Sequence, residues 1–92
     1  MRKNIQEVYN AWCGHKALDR KSCSTDGEVL YSYQTPILFR ADDGVPIFNE
    51  DYYSVTTTIQ QNSIRFMLQR SGYPVIASVN EPQIRAYISN ER

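Results

Sequence analysis

Asp51-Tyr52-Tyr53-Ser54-Val55-Thr56-Thr57-Thr58-Ile59-Gln60-Gln61-Asn62-Ser63-Ile64 is the stretch that organises the chain. A β-rich segment, Tyr52 to Thr56, runs through three consecutive threonines into an amphipathic helix. Thr58 starts that helix, and Gln61 three residues on has capping-box spacing. Ile64, Met67 and Leu68 form its predicted buried stripe, with Arg65, Gln69 and Arg70 facing water. Gly72 and then Pro74 end it. Such a junction gathers hydroxyls and free backbone N–H groups at a helix N-terminus, where an anion or polar ligand can be held. Ordinary strand-to-helix junctions use the same residue types.

Towards the N-terminus, Ile5, Val8, Tyr9 and Trp12 fall at i, i+3, i+4 and i+7, one apolar stripe of a helix from Asn4 to about His15. Asn4 is the expected cap, Glu7 completes a capping box, and Gly14 is expected to end the helix in the left-handed conformation. Lys16 to Gly27 is polar and reads as an ordered loop closed by a turn at Asp26-Gly27, with Leu18 tucked under Trp12. Glu28 to Tyr33 reads as a strand with Val29, Tyr31 and Tyr33 on one face, and Pro36 interrupts the pattern. Ile37 and Phe39 resume it, Ala41 to Val45 is a hairpin turn with Gly44 at positive φ, and Val45 to Phe48 returns. After the second helix, Val75 to Val79 supplies a strand, and Asn80 with Pro82 opens a last short helix on Ile84, Tyr87 and Ile88. The expected fold is α+β, in the order α-β-β-β-α-β-α. It places an N-terminal helix, a second helix and a short C-terminal helix against a three- to four-stranded, mainly antiparallel sheet.

Ninety-two residues, 41% of them hydrophobic, make a single domain over 1–92 with a small core. Ten basic residues balance ten acidic ones. Nucleic-acid binders normally carry a basic excess to replace phosphate counterions, so DNA binding ranks low. No leader-type apolar segment follows Met1-Arg2-Lys3, and no apolar run approaches membrane-spanning length, so a cytoplasmic protein away from the membrane is expected. Cys13 and Cys23 are too few for a disulfide framework or a zinc site, and the plain expectation is two reduced thiols, with one intramolecular disulfide as the alternative.

Catalytic signatures are missing. His15 is the single histidine and sits at a helix end, where it complements the dipole. There is no nucleophile elbow, phosphate loop, dinucleotide fingerprint or zinc-protease motif, so no enzyme, cofactor or metal is expected. Cys13, inside a helix, is expected to be buried packing. The carboxylate pairs Asp42-Asp43 and Glu50-Asp51 flank turns. Two polar clusters stand out: Ser22, Ser24, Thr25 and Asp26, and then Ser54, Thr56, Thr57, Thr58, Gln61 and Asn62. If the strand from Glu28 pairs antiparallel with one ending near Thr56, both clusters lie at one end of the sheet. Tyr31, Tyr33, Tyr52 and Tyr53 would add flat surfaces for a base or a protein. Arg65 and Arg70, with Arg20 and Lys21, would form a phosphate patch only if they converge.

Ser24-Thr25-Asp26-Gly27-Glu28-Val29-Leu30-Tyr31-Ser32-Tyr33-x-Thr35-x-Ile37 and Tyr53-Ser54-Val55-Thr56-Thr57-Thr58-x-x-Gln61-Asn62 carry a resemblance. Together with Ala11-Trp12, they resemble a family of small, largely uncharacterised proteins encoded by bacteriophages, plasmids and other mobile elements. The resemblance spans about residues 8 to 68. Related members often carry a histidine before the glutamine–asparagine element, where this chain has Ile59-Gln60. The resemblance implies origin and size class rather than an activity.

A small chain without a catalytic constellation is expected to work by binding. A protein partner, host or viral, ranks first because exposed tyrosines are good interface anchors, with inhibition of a host defence system as the role such binding would serve. A nucleotide- or oligonucleotide-sequestering module ranks second. The small core is also compatible with a homodimer. The candidate binding residues are Thr25, Asp26, Tyr31, Tyr33, Tyr52, Thr56, Thr57, Thr58, Gln61, Asn62 and Arg65.

Overall fold

The computed structural model describes residues 3–73 and 75–91. Along the chain run α1 (Lys3–Cys13), β1 (Leu18–Arg20), β2 (Cys23–Thr25), β3 (Val29–Ser32), β4 (Thr35–Arg40), β5 (Pro46–Asn49), α2 (Val55–Arg70), β6 (Ala77–Val79) and α3 (Glu81–Glu91). The strands form one sheet in chain order. β1 to β5 are an antiparallel meander, and β6 lies parallel to β5. A parallel neighbour cannot be reached by a hairpin, so α2 serves as the crossover between β5 and β6.

Successive strand residues point to opposite faces, and both faces are apolar. Leu30, Leu38 and Phe48 join Ile5, Val8, Tyr9 and Trp12 of α1 and Ile64, Met67 and Leu68 of α2. Val29, Phe39 and Ile47 pack instead on Ile84 of α3. The result is three layers, two helices on one face of the sheet and one on the other.

The α+β class and the order of helices match expectation, but the sheet has six strands rather than three or four. Two segments depart from expectation. The polar segment after α1 is a hairpin, not a loop. Leu18-Asp19-Arg20 and Cys23-Ser24-Thr25 are too short and polar to alternate visibly, yet β2 extends the β3 ladder, and Leu18 and Cys23 reach the α1–α2 cluster. Conversely, no strand forms over Tyr52–Thr56, because the chain leaves β5 irregularly and enters α2 at Val55.

Pro36 does sit in a strand. Leu30 pairs with Leu38 and Tyr31 with Pro36, which leaves Ile37 as an extra residue in a β-bulge. A bulge tolerates a residue without an N–H donor. It also lets the consecutive residues Ile37 and Leu38 serve the same α1–α2 cluster. The bulge carbonyl of Pro36 accepts a bond from Asn49 Nδ2 at 3.0 Å.

α1 begins at Lys3, so Asn4 lies inside its first turn rather than capping it. At its other end the left-handed residue is His15 (φ 58°), not Gly14. The His15 N–H reaches Trp12 O at 3.2 Å and the Lys16 N–H reaches Ala11 O at 2.9 Å, the paired bonds of a Schellman ending. Gly27 (φ 101°) packs beside this corner, where a Cβ would stand 3.0 Å from the His15 carbonyl group. Cys13 is exposed, against expectation, because it falls off the apolar stripe, whereas Cys23 is buried; both are free thiols. Gly72 takes positive φ (81°) just beyond α2, as the helix-stop pattern anticipates. Pro74, expected to reinforce that stop, and Met1-Arg2 lie outside the described residues. Among the described residues no helix is long and apolar enough to cross a membrane.

Arg40, at the end of β4, joins these layers. Its guanidinium lies 4.1 Å from the Trp12 ring centroid and donates to the carbonyls of Trp12 and Gly27. Trp12 Nε1 in turn donates to Glu28 O at 2.8 Å. The Arg40 side chain is only 12% exposed, so the Gly27 carbonyl is not readily compensated by water when it is removed, whereas Trp12 O keeps the bond from the His15 N–H. Arg40→Leu is expected to cost about 2–4 kcal/mol of unfolding free energy, measured by urea denaturation.

Candidate functional site

Ser54 is the N-cap of α2, with extended φ −150° and ψ 169°, and its Oγ accepts the Thr57 N–H at 3.2 Å. The cap therefore falls one turn earlier than the Thr58–Gln61 pairing anticipates. Thr57, Gln60 and Gln61 continue the face of Ile64, Met67 and Leu68 at helical spacing, so the first half of α2 buries a polar face.

The buried side chains form two hydrogen-bonded groups. In the first, Ser54 Oγ donates to Thr57 Oγ1 at 3.3 Å, Thr57 is bonded to Ser32 Oγ at 3.1 Å, and Ser32 donates to Gln60 Oε1. Since Ser32 has one proton, Thr57 must donate to it, and the hydroxyls run in a single direction. Gln60 Nε2 finishes the chain on Ser22, at 3.3 Å to O and 3.2 Å to Oγ. Aligned bonds of this kind polarise and strengthen one another. In the second group, Gln61 Nε2 holds the carbonyls of Asn49 and Asp51 at 2.8 and 2.9 Å. Asn49 Nδ2 donates to Tyr53 OH at 2.8 Å, and Tyr53 OH donates to Glu81 Oε1 at 2.7 Å. The Glu81 N–H returns to Asp51 Oδ2 at 2.8 Å. Burial pushes the Tyr53 phenol up to about 12, and the bonds from Tyr53 and Arg85 hold Glu81 below the usual carboxylate range.

These bonds tie together the end of the molecule around the α2 N-terminus, where large aromatic and apolar side chains stand exposed beside Gln34, Glu50 and Ser54. Tyr52 is 74% exposed, Val55 69% and Tyr33 58%. Each lies within two residues of Ser32, Ser54 or Thr57. Tyr33 and Gln34 form the two-residue loop that closes β3 on β4, where Ser32 pairs with Thr35. Tyr33 has φ 55° there, a position that such loops normally give to Gly, Asn or Asp. Holding a tyrosine in this region costs about 1–2 kcal/mol.

Of the expected binding residues, Tyr33, Tyr52, Thr56, Thr57 and Thr58 gather at this end, though Thr57 and Gln61 spend their polar atoms on the fold. The Thr58 hydroxyl oxygen is shut from solvent and has no hydrogen-bond partner among the described residues, and Asn62 is exposed. Arg65 pairs with Glu50 at 2.8 Å and lies over the Phe48 ring. Arg20 pairs with Glu7 at 3.5 Å and Arg70 covers Phe66, so the basic residues are dispersed over separate partners.

Ser22 of the first polar cluster is joined to Thr57 of the second through Gln60 and Ser32. Without a strand at Tyr52–Thr56, β3 pairs with β2 and β4 instead. Thr25 Oγ1 donates to Val29 O at 2.7 Å, and Asp26 Oδ1 accepts the N–H groups of Glu28 and Val29 at 2.9 Å each, so both shape their own turn. With Tyr31, they line a shallow depression of about 450 Å³ bordered by Leu18, Asp19 and Ser24. Ser32, Gln60 and Val55 were not among the expected residues. Nothing local marks a serine and a glutamine as partners 28 positions apart, and β propensity assigns Val55 to a strand rather than to the first position of α2.

His15, 61% exposed, lies 3.6 Å from Glu28 Oε1 and 3.3 Å from Arg40, with Cys13 exposed nearby in the chain. Among the described residues no group of three or more His, Cys, Asp or Glu side chains is arranged to hold a metal ion.

The profile of a family of unknown function (DUF8033) matches residues 3–78, from α1 into β6. No curated protein and no solved structure matches the chain.

The raised Tyr53 value has a consequence for stability. A phenol pushed above its unfolded value of 10 contributes stability that is fully present below pH 10 and lost as pH rises towards 12. Tyr9, raised in the same direction mainly by burial, contributes with the same sign. Thermal melts across pH 9–12 are expected to show stability falling above about pH 10, with a shallower fall in Tyr53→Phe.

Proposed function

This chain belongs to the family of unknown function just described, and we propose that it acts as a stoichiometric, non-enzymatic binder of another protein. The supporting observation is the exposed trio Tyr33, Tyr52 and Val55 around a hydrogen-bonded, rigid helix entrance. Tyrosines offer large contact area with few rotatable bonds, so little entropy is lost when they dock. Tyr33, Gln34, Tyr52, Ser54, Val55 and Thr56 are all uncharged, so their burial desolvates no ion. The resemblance to proteins of mobile elements extends the proposal: the partner is a host or viral protein in the bacterial cytoplasm, and blunting a host defence system is the role that fits a small binder.

The nucleotide-sequestering alternative would place phosphate at the α2 N-terminus and a base on a tyrosine. Two of its intended ligand groups, the Thr57 hydroxyl and the Gln61 amide, are already committed to Ser32 and to the carbonyls of Asn49 and Asp51. The protein-binding role needs none of them, which favours it.

Tyr52 and Val55 are exposed, so the double variant Tyr52→Ala/Val55→Ser should keep its melting temperature within about 2 °C. It should also lose the partner recovered by affinity capture from host cells, while Tyr87→Ala on α3 keeps it. Undiminished recovery by the double variant would refute the proposal.

A further inference from the structure

We infer that a second copy of this chain pairs along the outer edge of β6, antiparallel and centred on Ser78, to form a two-fold dimer with one continuous sheet. The inference stands apart from the protein-binding proposal and uses none of its residues.

β1 and β6 are the two edges of the sheet. Val79 O accepts the Glu50 N–H at 2.9 Å, so the Val79 carbonyl faces β5. Backbone groups of neighbouring strand residues point to opposite sides, which turns the N–H and C=O of Ser78 outward. No strand among the described residues lies beyond β6 to take them up, and Ser78 is exposed. The following helix leaves this edge open. α3 packs back over β5 and β4, and its far end brings Glu91 to the Asp42 N–H.

An outward row of backbone donors and acceptors is matched by another extended strand. The chemistry of the two edges selects a second copy and limits the assembly to two. Val75, Ile76, Ala77, Ser78, Val79 and Asn80 carry no charge, and three of them are β-branched and apolar. β1 is guarded instead: Asp19, Arg20 and Lys21 are consecutive charges, and Arg20 Nη1 donates to the Asp19 carbonyl at 3.1 Å. Charged side chains on an edge repel added strands. Joining β6 to β6 therefore consumes both open edges and leaves only guarded ones outside, the condition for a closed dimer.

The β6 edge is also complementary to itself. Centred on Ser78, the two copies exchange both Ser78 N–H···O bonds, and Ala77 of each lies opposite Val79 of the other. Ala77 and Val79 already pack against the Val29–Phe39–Ile47–Ile84 cluster, so this apolar layer becomes continuous across the joint.

Sedimentation of the full chain should show dimer growing in over roughly 10 µM to 1 mM, with amide exchange slowing at Ser78 as concentration rises. Position 78 faces itself, so Ser78→Lys and Ser78→Asp should each weaken association about tenfold or more, and mixing the two variants should restore a one-to-one dimer. Since Ser78 is exposed, both variants should melt within about 2 °C of the wild-type monomer. Lys21→Ser, on the β1 side, should leave association unchanged. A monomer throughout, undiminished association in the Ser78 variants, no recovery on mixing, or growth beyond two copies would each overturn the inference.

Discussion

The stacking of Arg40 on Trp12 is the interaction on which the arrangement of layers depends. One guanidinium covers the indole face and satisfies carbonyls from the end of α1 and from the β2–β3 turn. Without it the Gly27 carbonyl would lose its side-chain donor and Trp12 O would keep only the His15 N–H. Because Trp12 is wholly buried and its Nε1 is held by Glu28 O, the position of α1 is set at one corner. The left-handed turn at His15 and the close approach of Gly27 follow from that corner. A chain this short has little apolar area to spare, so a charge-assisted tie between layers matters more than it would in a larger domain.

At the opposite region the α2 entrance is ordered by polar groups rather than apolar ones. Thr57, Gln60 and Gln61 are buried, and each finds partners on β3, on the loop after β5, or at Ser22. Directional bonds restrict geometry more than apolar packing does, which suits a part of the molecule that holds Tyr33, Tyr52 and Val55 outward. A flexible mount would lose on docking the entropy that this one has already given up in folding. The Asn49–Tyr53–Glu81 group extends the same order to the start of α3, tying the last helix to the loop before α2.

Much of this was legible in the sequence, and the gaps have identifiable causes. Ile5, Val8, Tyr9 and Trp12 announced α1, and Ile64, Met67 and Leu68 announced α2, because helical periodicity is a local property. Gly27 and Gly44 marked their turns by the positive φ they adopt. The β1–β2 hairpin was invisible because its strands are three residues each and mostly polar. Tyr52 and Tyr53 suggested a strand by propensity, but Ser54 capping Thr57 let the helix begin earlier and absorb Val55 and Thr56. For the candidate site, residue type singled out the tyrosines and threonines, but not that Thr57 would be buried while Tyr33 and Tyr52 stand exposed.

By itself the sequence determined the α+β class, the apolar stripes of the helices, the tight turns and the balanced charge. All of these depend on residue type and near-neighbour spacing. Only the tertiary structure decided which strands pair, that Pro36 would sit in a bulge, and that the polar side of α2 would face inward. It also decided that a strained Tyr33 would stand exposed at a hairpin tip. The physical reason is distance along the chain: Ser32 meets Gln60 across 28 positions, and Tyr9 meets Ser71 across 62. Polar side chains choose between water and such remote partners only after the apolar faces have collapsed and brought those partners within bonding range.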